Sequence, residues 1–309
     1  MSKYFITGVS GFVGRYLVSH IQKEDGSACI YGAGKRPDCN LPINYFQIDL
    51  KEQSKVALLL KEVQPDFIVH LASMSSIQES WNNPQECFEN NAKIILNILT
   101  AVKDNKLQSR ILSVGSVEEY GSYPESEMPL KENYPLNPMN PYAVTKVFQE
   151  NICKIYADYF GLDIVMTRSF NHYGVGQSDK FFIASMIKQL LEIKHEGKSS
   201  LEVGNIDVKR DFIDVRDAAD IYFRLLLKGK KGEIYNVCSG TPVSLREVIK
   251  SCCRFLSIDP EIRVDVKRIR PSDIQIIYGD NTKLKKETGW NQKYSLETSL
   301  KEIIDEGAK

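Results

Sequence analysis

The stretch Tyr4-Phe5-Ile6-Thr7-Gly8-Val9-Ser10-Gly11-Phe12-Val13-Gly14 decides the fold of this chain. A short apolar run ends at Thr7, three glycines follow at three-residue spacing, and a helical pattern then begins. Glycine lets the backbone turn sharply and approach a diphosphate closely, while a helix start offers free N–H groups. The stretch therefore predicts a strand, a tight turn and a helix that together bind a dinucleotide, as in a Rossmann-type domain.

The composition is that of an ordinary globular protein, with 309 residues, 42% of them hydrophobic. The 40 basic and 40 acidic side chains balance, which argues against a nucleic-acid partner. No apolar run approaches the roughly 20 residues that span a bilayer, so we expect no membrane partner. The chain opens on a core strand rather than a signal peptide, and its seven cysteines form no metal-binding pattern. These features predict a cytoplasmic protein.

Apolar strands alternate with helical patterns along the first half of the chain, which predicts an α/β fold. We expect a Rossmann-type parallel sheet with helices on both faces and ligands at its carboxyl edge. Residues 1–168, with about 208–238 returning to them, are assigned to this domain, because the strand Ile234–Cys238 is expected to rejoin the sheet. Residues 169–207 and 239–309 are assigned to a smaller α/β substrate-binding lobe, which includes a helix over Phe181–His195.

Two cations follow the second strand, where a dinucleotide fold selects its cofactor. An acid at this point would bind the ribose 2′-hydroxyl of NAD, but the chain has Lys35 and Arg36. These cations predict binding of a 2′-phosphate and hence NADP(H), with NAD(H) as the alternative if they are merely solvated. Asp49, at the end of the predicted third strand Tyr45–Leu50, is a candidate acceptor for the adenine amino group.

A serine and a Tyr-x-x-x-Lys pair predict the chemistry of the chain. Tyr142 and Lys146 are four residues apart on a helix, so they share one face, and Ser116 ends a strand upstream. A lysine ammonium beside a tyrosine favours the phenolate, so we expect it to lower the tyrosine pKa toward the working range. Ser116 can bond the same substrate oxygen. In extended geometry Glu118 would point to the same side as Ser116.

These motifs resemble the nucleotide-sugar branch of the extended short-chain dehydrogenase/reductase family. The resemblance is carried by the glycine loop, His70-Leu71-Ala72, Ser116-Val117-Glu118-Glu119-Tyr120-Gly121, Pro141–Lys146 and Arg168–Gly174. The C-terminal third adds Val203-Gly204-Asn205, Arg210–Asp217, Arg270-Pro271-Ser272-Asp273 and Gly289-Trp290. Within the branch, the stretches Phe170–His172, Gly176–Phe181 and Val203–Asp217 look most like GDP-6-deoxy-4-keto-mannose reductases.

The resemblance implies three sets of site residues. The cofactor set is Gly8, Gly11, Phe12, Val13, Gly14, Lys35, Arg36, Asp49, Leu50, Leu71, Ala72, Ser73, Tyr142 and Lys146. The catalytic set is Ser116, Tyr142, Lys146 and Glu118. The substrate set is Asn171, Lys180, Arg210, Arg270 and Asp273, with the arginines suited to diphosphate because their planar fork gives two parallel hydrogen bonds. No metal is expected.

The implied reaction is NAD(P)H-dependent reduction of the C4 ketone of GDP-6-deoxy-4-keto-D-mannose to GDP-D-rhamnose. Glu118 conflicts with this interpretation, because it stands where the related GDP-mannose 4,6-dehydratases carry their base. The segment after Lys35 and Arg36 is short and lacks the arginine- and serine-rich loop of those dehydratases. A 3,5-epimerase/reductase would have cysteine in place of Glu118, so that reaction is disfavoured.

A non-enzymatic role is a further alternative, and the assembly of the chain is a separate expectation. Some chains of this fold are redox sensors or regulatory proteins that have lost catalytic residues, whereas Ser116, Tyr142 and Lys146 are all present here. The resemblance also implies a homodimer, formed through the helices around residues 84–105 and 142–160.

Overall fold

The computed structural model describes residues 1–268 and 274–308 of the chain. The strands within these ranges are β1 (Lys3–Thr7), β2 (Cys29–Gly34), β3 (Asn44–Gln47), β4 (Phe67–His70), β5 (Arg110–Ser116), β6 (Asp163–Ser169), β7 (Asn171–Tyr173), β8 (Ser200–Val203), β9 (Lys209–Asp214), β10 (Ile234–Val237), β11 (Pro242–Ser244), β12 (Glu261–Val264) and β13 (Ile276–Ile277). The helices are α1 (Phe12–Glu24), α2 (Gln53–Val63), α3 (Ile77–Asn82), α4 (Pro84–Asp104), α5 (Pro141–Tyr159), α6 (Phe182–Glu196), α7 (Val215–Lys228), α8 (Leu245–Leu256), α9 (Thr282–Thr288) and α10 (Leu296–Gly307). Short 3₁₀ turns cover Val117–Tyr120, Glu125–Glu127 and Val266–Arg268.

A seven-stranded sheet in the order β10-β6-β5-β4-β1-β2-β3 forms the centre of the molecule. Each neighbouring pair in this sheet is parallel, so the carboxyl ends of the strands meet at one edge. The strand order reverses between β1 and β4, which is where doubly wound folds bind their ligands. The predicted Rossmann-type sheet is confirmed, and β10 lies in this sheet, where it pairs with β6.

Helices cover both faces of the sheet, and alternate strand residues supply the two cores. Tyr4 and Ile6 face α1 and α7, whereas Phe5 between them faces α2, α4 and α5. Each of these side chains is at most 1% exposed, and burial of one such group contributes about 1.5–3 kcal/mol. The N-terminal strand thus lies between two apolar layers, which fixes the glycine loop that follows it.

A smaller lobe stands above the carboxyl edge of the sheet. Its core joins α6, α8 and α10 to a second sheet of β11, β9 and β13, with β7 beside β9, and to the pair β8–β12. Helix α6 spans Phe182–Glu196, one residue later at each end than predicted. No helix among the described residues is long and apolar enough to cross a membrane.

Candidate active site

A cleft of about 1460 Å³ separates the carboxyl edge of the large sheet from the smaller lobe. The loops after β1, β2, β4 and β5 line one side, and residues around β7, β8 and β9 line the other. All predicted site residues within the described ranges line this cleft, and Arg270 and Asp273 lie outside those ranges. Those described residues are Gly8, Gly11, Phe12, Val13, Gly14, Lys35, Arg36, Asp49, Leu50, Leu71, Ala72, Ser73, Ser116, Glu118, Tyr142, Lys146, Asn171, Lys180 and Arg210.

The glycine loop is packed so tightly that side chains are excluded. Gly8 has φ +70°, and a Cβ there would lie 2.8 Å from the backbone nitrogen of Ala72. A Cβ on Gly14 would lie 2.4 Å from the carbonyl oxygen of Val9. Helix α1 starts at Phe12 directly behind this turn, so its first N–H groups face the cleft, where they can bind phosphate. The loop therefore fits the diphosphate of a dinucleotide.

The two cations after β2 differ in their surroundings. Lys35 Nζ lies 3.2 Å from Asp49 Oδ2, so this lysine already has an anionic neighbour. Burial acts to raise the pKa of Asp49, but hydrogen bonds from Lys51 and Lys35 outweigh it and the net direction is downward. No carboxylate among the described residues lies within 4 Å of the Arg36 guanidinium. Arg36 is therefore the better placed of the two to meet a phosphate.

Ser116 and Tyr142 meet at the end of β5, beneath the cleft. Ser116 is the last residue of β5, and Tyr142 lies in the first turn of α5, where the Asn140 side chain caps the helix by accepting from the Ala143 N–H at 2.8 Å. The Ser116 hydroxyl lies beside the Tyr142 hydroxyl and acts to lower the pKa of Tyr142. Lys146, one turn further on, donates to the Val114 carbonyl at 2.9 Å. The predicted serine, tyrosine and lysine thus come together in space.

The pKa of Tyr142 departs from its ordinary value in the direction opposite to the prediction. Burial raises it, and the charges of Glu119 and Glu118 add to that effect, while the Ser116 hydroxyl acts against it. Lys146 does not reverse the shift, because its Nζ bonds Val114 and Gln149 and lies 5.8 Å from the tyrosine ring centre. Burial also lowers the pKa of Lys146 to about 8. Tyr142 is therefore a protonated phenol at neutral pH, the state that a proton donor needs.

Glu118 lines the cleft, but its backbone is in a 3₁₀ turn and not in the extended conformation that we predicted. The residues after Ser116 form a 3₁₀ turn because the Ser116 side chain accepts from the Glu118 N–H at 3.2 Å. Glu118 is half-buried, and its Oε2 accepts from Asn140 Nδ2 at 2.8 Å. The carboxylate is therefore tied to the residue that caps α5.

The smaller lobe contributes the polar groups opposite Tyr142. Asn171 donates to the carbonyl of Asp211 at 3.1 Å, and Arg210 donates to the carbonyl of Ile274 at 2.6 Å. Lys180 instead reaches across the mouth of the cleft, where its Nζ lies 2.5 Å from Glu79 Oε1 on α3. A substrate phosphate that binds Lys180 must therefore compete with this exposed carboxylate.

The sequence alone assigned no role to Ser169, His172 or Tyr222, because only the tertiary structure brings these side chains together. His172 Nε2 and Ser169 Oγ each lie 2.7 Å from the hydroxyl oxygen of Tyr222. Tyr222 belongs to α7, so this helix forms the floor of the cleft at that point. Burial lowers the pKa of His172 to about 4, which keeps its ring neutral. Asn91 on α4 holds the segment after β4, because its Oδ1 accepts from the Met74 N–H at 2.8 Å.

Comparison with known proteins agrees with this geometry. The sequence profile of a family described as GDP-mannose 4,6 dehydratase matches residues 5–303. The GDP-6-deoxy-D-mannose reductase of Pseudomonas aeruginosa is 34% identical over 305 residues, which cover 98% of this chain and 96% of that protein. The chain belongs to the GDP-mannose 4,6-dehydratase family.

A second relative and a solved structure extend the likeness. The GDP-6-deoxy-D-talose 4-dehydrogenase of Aggregatibacter actinomycetemcomitans is 29% identical over 305 residues, covering 98% of this chain and 96% of that protein. The structure of RMD from Pseudomonas aeruginosa complexed with NADPH superposes with a TM-score of 0.89 at 32% identity, covering 100% of this chain and 99% of that one. The predicted resemblance to the nucleotide-sugar dehydrogenases and reductases is confirmed.

Proposed function

We propose that this protein reduces the C4 ketone of GDP-6-deoxy-4-keto-D-mannose to GDP-D-rhamnose, with NADPH as the hydride donor and NADH as the alternative. The observation that carries the proposal is the protonated, buried Tyr142 beside Ser116 in a cleft that also contains a dinucleotide loop. The 34% identity to a GDP-6-deoxy-D-mannose reductase supports the substrate. The match to RMD complexed with NADPH supports the cofactor.

The chain's own residues account for the proton side of the reaction. NADPH, when bound, supplies the hydride to C4. Tyr142 gives its proton to the C4 oxygen as negative charge develops there, and Ser116 donates a hydrogen bond to the same oxygen. Lys146 provides positive charge behind Tyr142 from a position fixed by Val114 and Gln149. Asn171, Lys180 and Arg210 hold the GDP moiety, together with Arg270 and Asp273 as the resemblance implies.

Dehydration of GDP-mannose is the second candidate function, because Glu118 lines the cleft and the family description names that reaction. Nicotinamide absorbance distinguishes the two. Stoichiometric loss of NADPH with the 4-keto-6-deoxy sugar, and none with GDP-mannose, is the expected result. Conversion of GDP-mannose to the keto sugar without net loss of NADPH would contradict the reductase and assign Glu118 as a base.

Glu118→Gln separates the two roles of that carboxylate. We expect the variant to keep NADPH-dependent reduction within about fivefold of wild type, since the amide oxygen can still accept from Asn140 and a neutral hydrogen bond is only about 1 kcal/mol weaker than a charge-assisted one. Steady-state kcat with the keto sugar measures this. A loss of a hundredfold or more would mean that Glu118 takes part in proton transfer.

Arg36→Ala should discriminate between the two nicotinamide cofactors. We expect the KM for NADPH to rise roughly ten- to a hundredfold, because a hydrogen bond to a charged phosphate contributes about 1.5–3 kcal/mol, while the KM for NADH stays unchanged. Lys35→Ala should raise the KM for NADPH less, because the Lys35 ammonium is already paired with the Asp49 carboxylate. Lys23→Ala, on the exposed end of α1, is the matched control. An equal loss for both cofactors would refute the 2′-phosphate assignment.

A homodimer through α4 and α5 and a cytoplasmic site of action complete the proposal. Apolar side chains on these two helices are exposed, among them Phe88, Val144 and Ile155, each at least 45% accessible. All seven cysteines are free thiols, which fits a reducing compartment. Sedimentation at the mass of two chains would support the dimer, and sedimentation as a single chain would count against it.

A further inference from the structure

Glu119 is a buried acid directly behind the proposed catalytic groups, and the reaction as described does not use it. Its Oε1 accepts from the backbone N–H of Ser116 at 2.6 Å, and its own carbonyl accepts from the Asn137 N–H at 3.1 Å. The first bond fixes the end of β5, and the second ties down the segment that leads to the Asn140 cap of α5. One residue thus links the backbones that carry Ser116 and Tyr142.

The surroundings of Glu119 are unusual for a residue that only caps a turn. The side chain is fully buried, and Oε2 has no hydrogen-bond partner among the described residues. The chain contains a second capping box, Ser244 with Glu247, in which the glutamate is exposed and accepts from the Ser244 N–H at 3.1 Å. The same local geometry therefore forms without burial, so burial at Glu119 requires another reason.

The groups that face Glu119 favour its uncharged form. Burial raises its pKa to about 8, and the neighbouring carboxylate of Glu150 adds to this, whereas the Ser116 N–H, Arg168 and Lys146 act against it. An ionised carboxylate with one unpaired oxygen would be costly in such a dry site. The Glu119 carboxyl group is also tightly packed against the backbone of β5, because a Cβ on Gly115 would lie only 2.5 Å from Glu119 Oε1.

We propose that Glu119 is a positioning residue that holds Ser116 in line with Tyr142, and that it does so as an uncharged acid. The proposal rests on the proposed reductase function. A neutral group suits this place, because a negative charge behind Ser116 and Tyr142 would oppose the negative charge that develops on the C4 oxygen during reduction. The side chain thus supplies geometry without adding charge to the site.

Three variants test shape against charge. Glu119→Gln keeps the length, the acceptor oxygen and neutrality, so we expect kcat within about threefold of wild type. Glu119→Leu removes the acceptor and Glu119→Asp is one methylene too short, so both should lower kcat about ten- to a hundredfold with little change in KM, since misplacement of about 1 Å costs on that order. Full activity of the Asp variant with loss in the Gln variant, or normal kcat in the Leu variant, would overturn the proposal. Glu247→Gln and Glu247→Leu are the matched controls.

Hydrogen–deuterium exchange over residues 113–120 gives a readout that needs no substrate. We expect faster exchange in Glu119→Leu and wild-type exchange in Glu119→Gln, because only the latter can accept from the Ser116 N–H. Unchanged exchange in the Leu variant would refute the positioning role. If exchange behaves as expected but wild-type protein does not consume NADPH with the keto sugar, the proposed function fails and the hydrogen-bond role of Glu119 stands.

Discussion

Tyr142→Phe should lower kcat for the keto sugar by about 10²- to 10⁴-fold, the range that a positioned general acid contributes. The phenol is the protonated group beside Ser116, and a serine hydroxyl cannot supply a net proton unless another acid reprotonates it. Binding of the GDP-sugar should weaken only a few-fold, because one neutral hydrogen bond contributes about 1 kcal/mol. Nicotinamide absorbance gives kcat, and calorimetric titration gives the affinity of the GDP-sugar.

Tyr156→Phe is the matched control for this experiment. Tyr156 lies on the same helix, and its hydroxyl lies 3.2 Å from Thr100 Oγ1 on α4, outside the cleft. We expect this variant to keep wild-type kcat. Normal turnover by Tyr142→Phe would remove Tyr142 as the proton donor, whereas an equal loss in both variants would point to damage in α5 rather than to chemistry.

Arg168→Met should lower the free energy of unfolding by about 3–5 kcal/mol, because it leaves a buried carboxylate without its main counter-charge. Arg168 donates to both oxygens of Glu150 at 2.8 and 2.9 Å, and both side chains are at most 4% exposed. Burial raises the pKa of Glu150, but the hydrogen bonds and charge of Arg168 outweigh burial and the net direction is downward. The stabilisation is therefore present above the unfolded glutamate pKa of about 4.3 and is lost at more acidic pH.

Urea unfolding followed by tryptophan fluorescence measures this loss. The double variant Arg168→Met with Glu150→Leu should recover most of it, since apolar replacement of both ends of a buried pair is often neutral. Arg263→Met is the control: Arg263 pairs with Glu261 at 2.7 Å, but both side chains are more than half exposed, so we expect little change in the free energy of unfolding. Equal losses of unfolding free energy in Arg168→Met and Arg263→Met would contradict the conclusion that the loss comes from leaving a buried carboxylate unpaired.

Local patterns were sufficient for the parts of the site that depend on neighbours in sequence. Gly8 and Gly14 mark the turn because only glycine fits there, and the four-residue spacing of Tyr142 and Lys146 places both on one helix face. The strands and helices were predictable for the same reason, since their periodicity is local. The start of α7 at Val215 is local too, because the Asp214 side chain caps it by accepting from the Arg216 N–H.

Properties that depend on distant residues could not be predicted in this way. The raised pKa of Tyr142 follows from burial in the folded chain, which no four-residue pattern contains. Lys180 pairs with Glu79, a residue 101 positions away. Arg270 and Asp273 lie outside the described residues, so their roles stay predictions. The division into two domains also stays a prediction.

The return of β10 and α7 to the large sheet limits how this enzyme can diversify. Helix α7 packs on α1, and β10 extends the sheet beyond β6, although the chain visits the smaller lobe before and after them. A gene fusion with one junction near residue 168 would therefore combine the first six strands of one parent with the seventh strand and a covering helix of another. Exchange of the whole smaller lobe between relatives needs at least three junctions, so this part of the architecture changes more readily by point substitution than by shuffling.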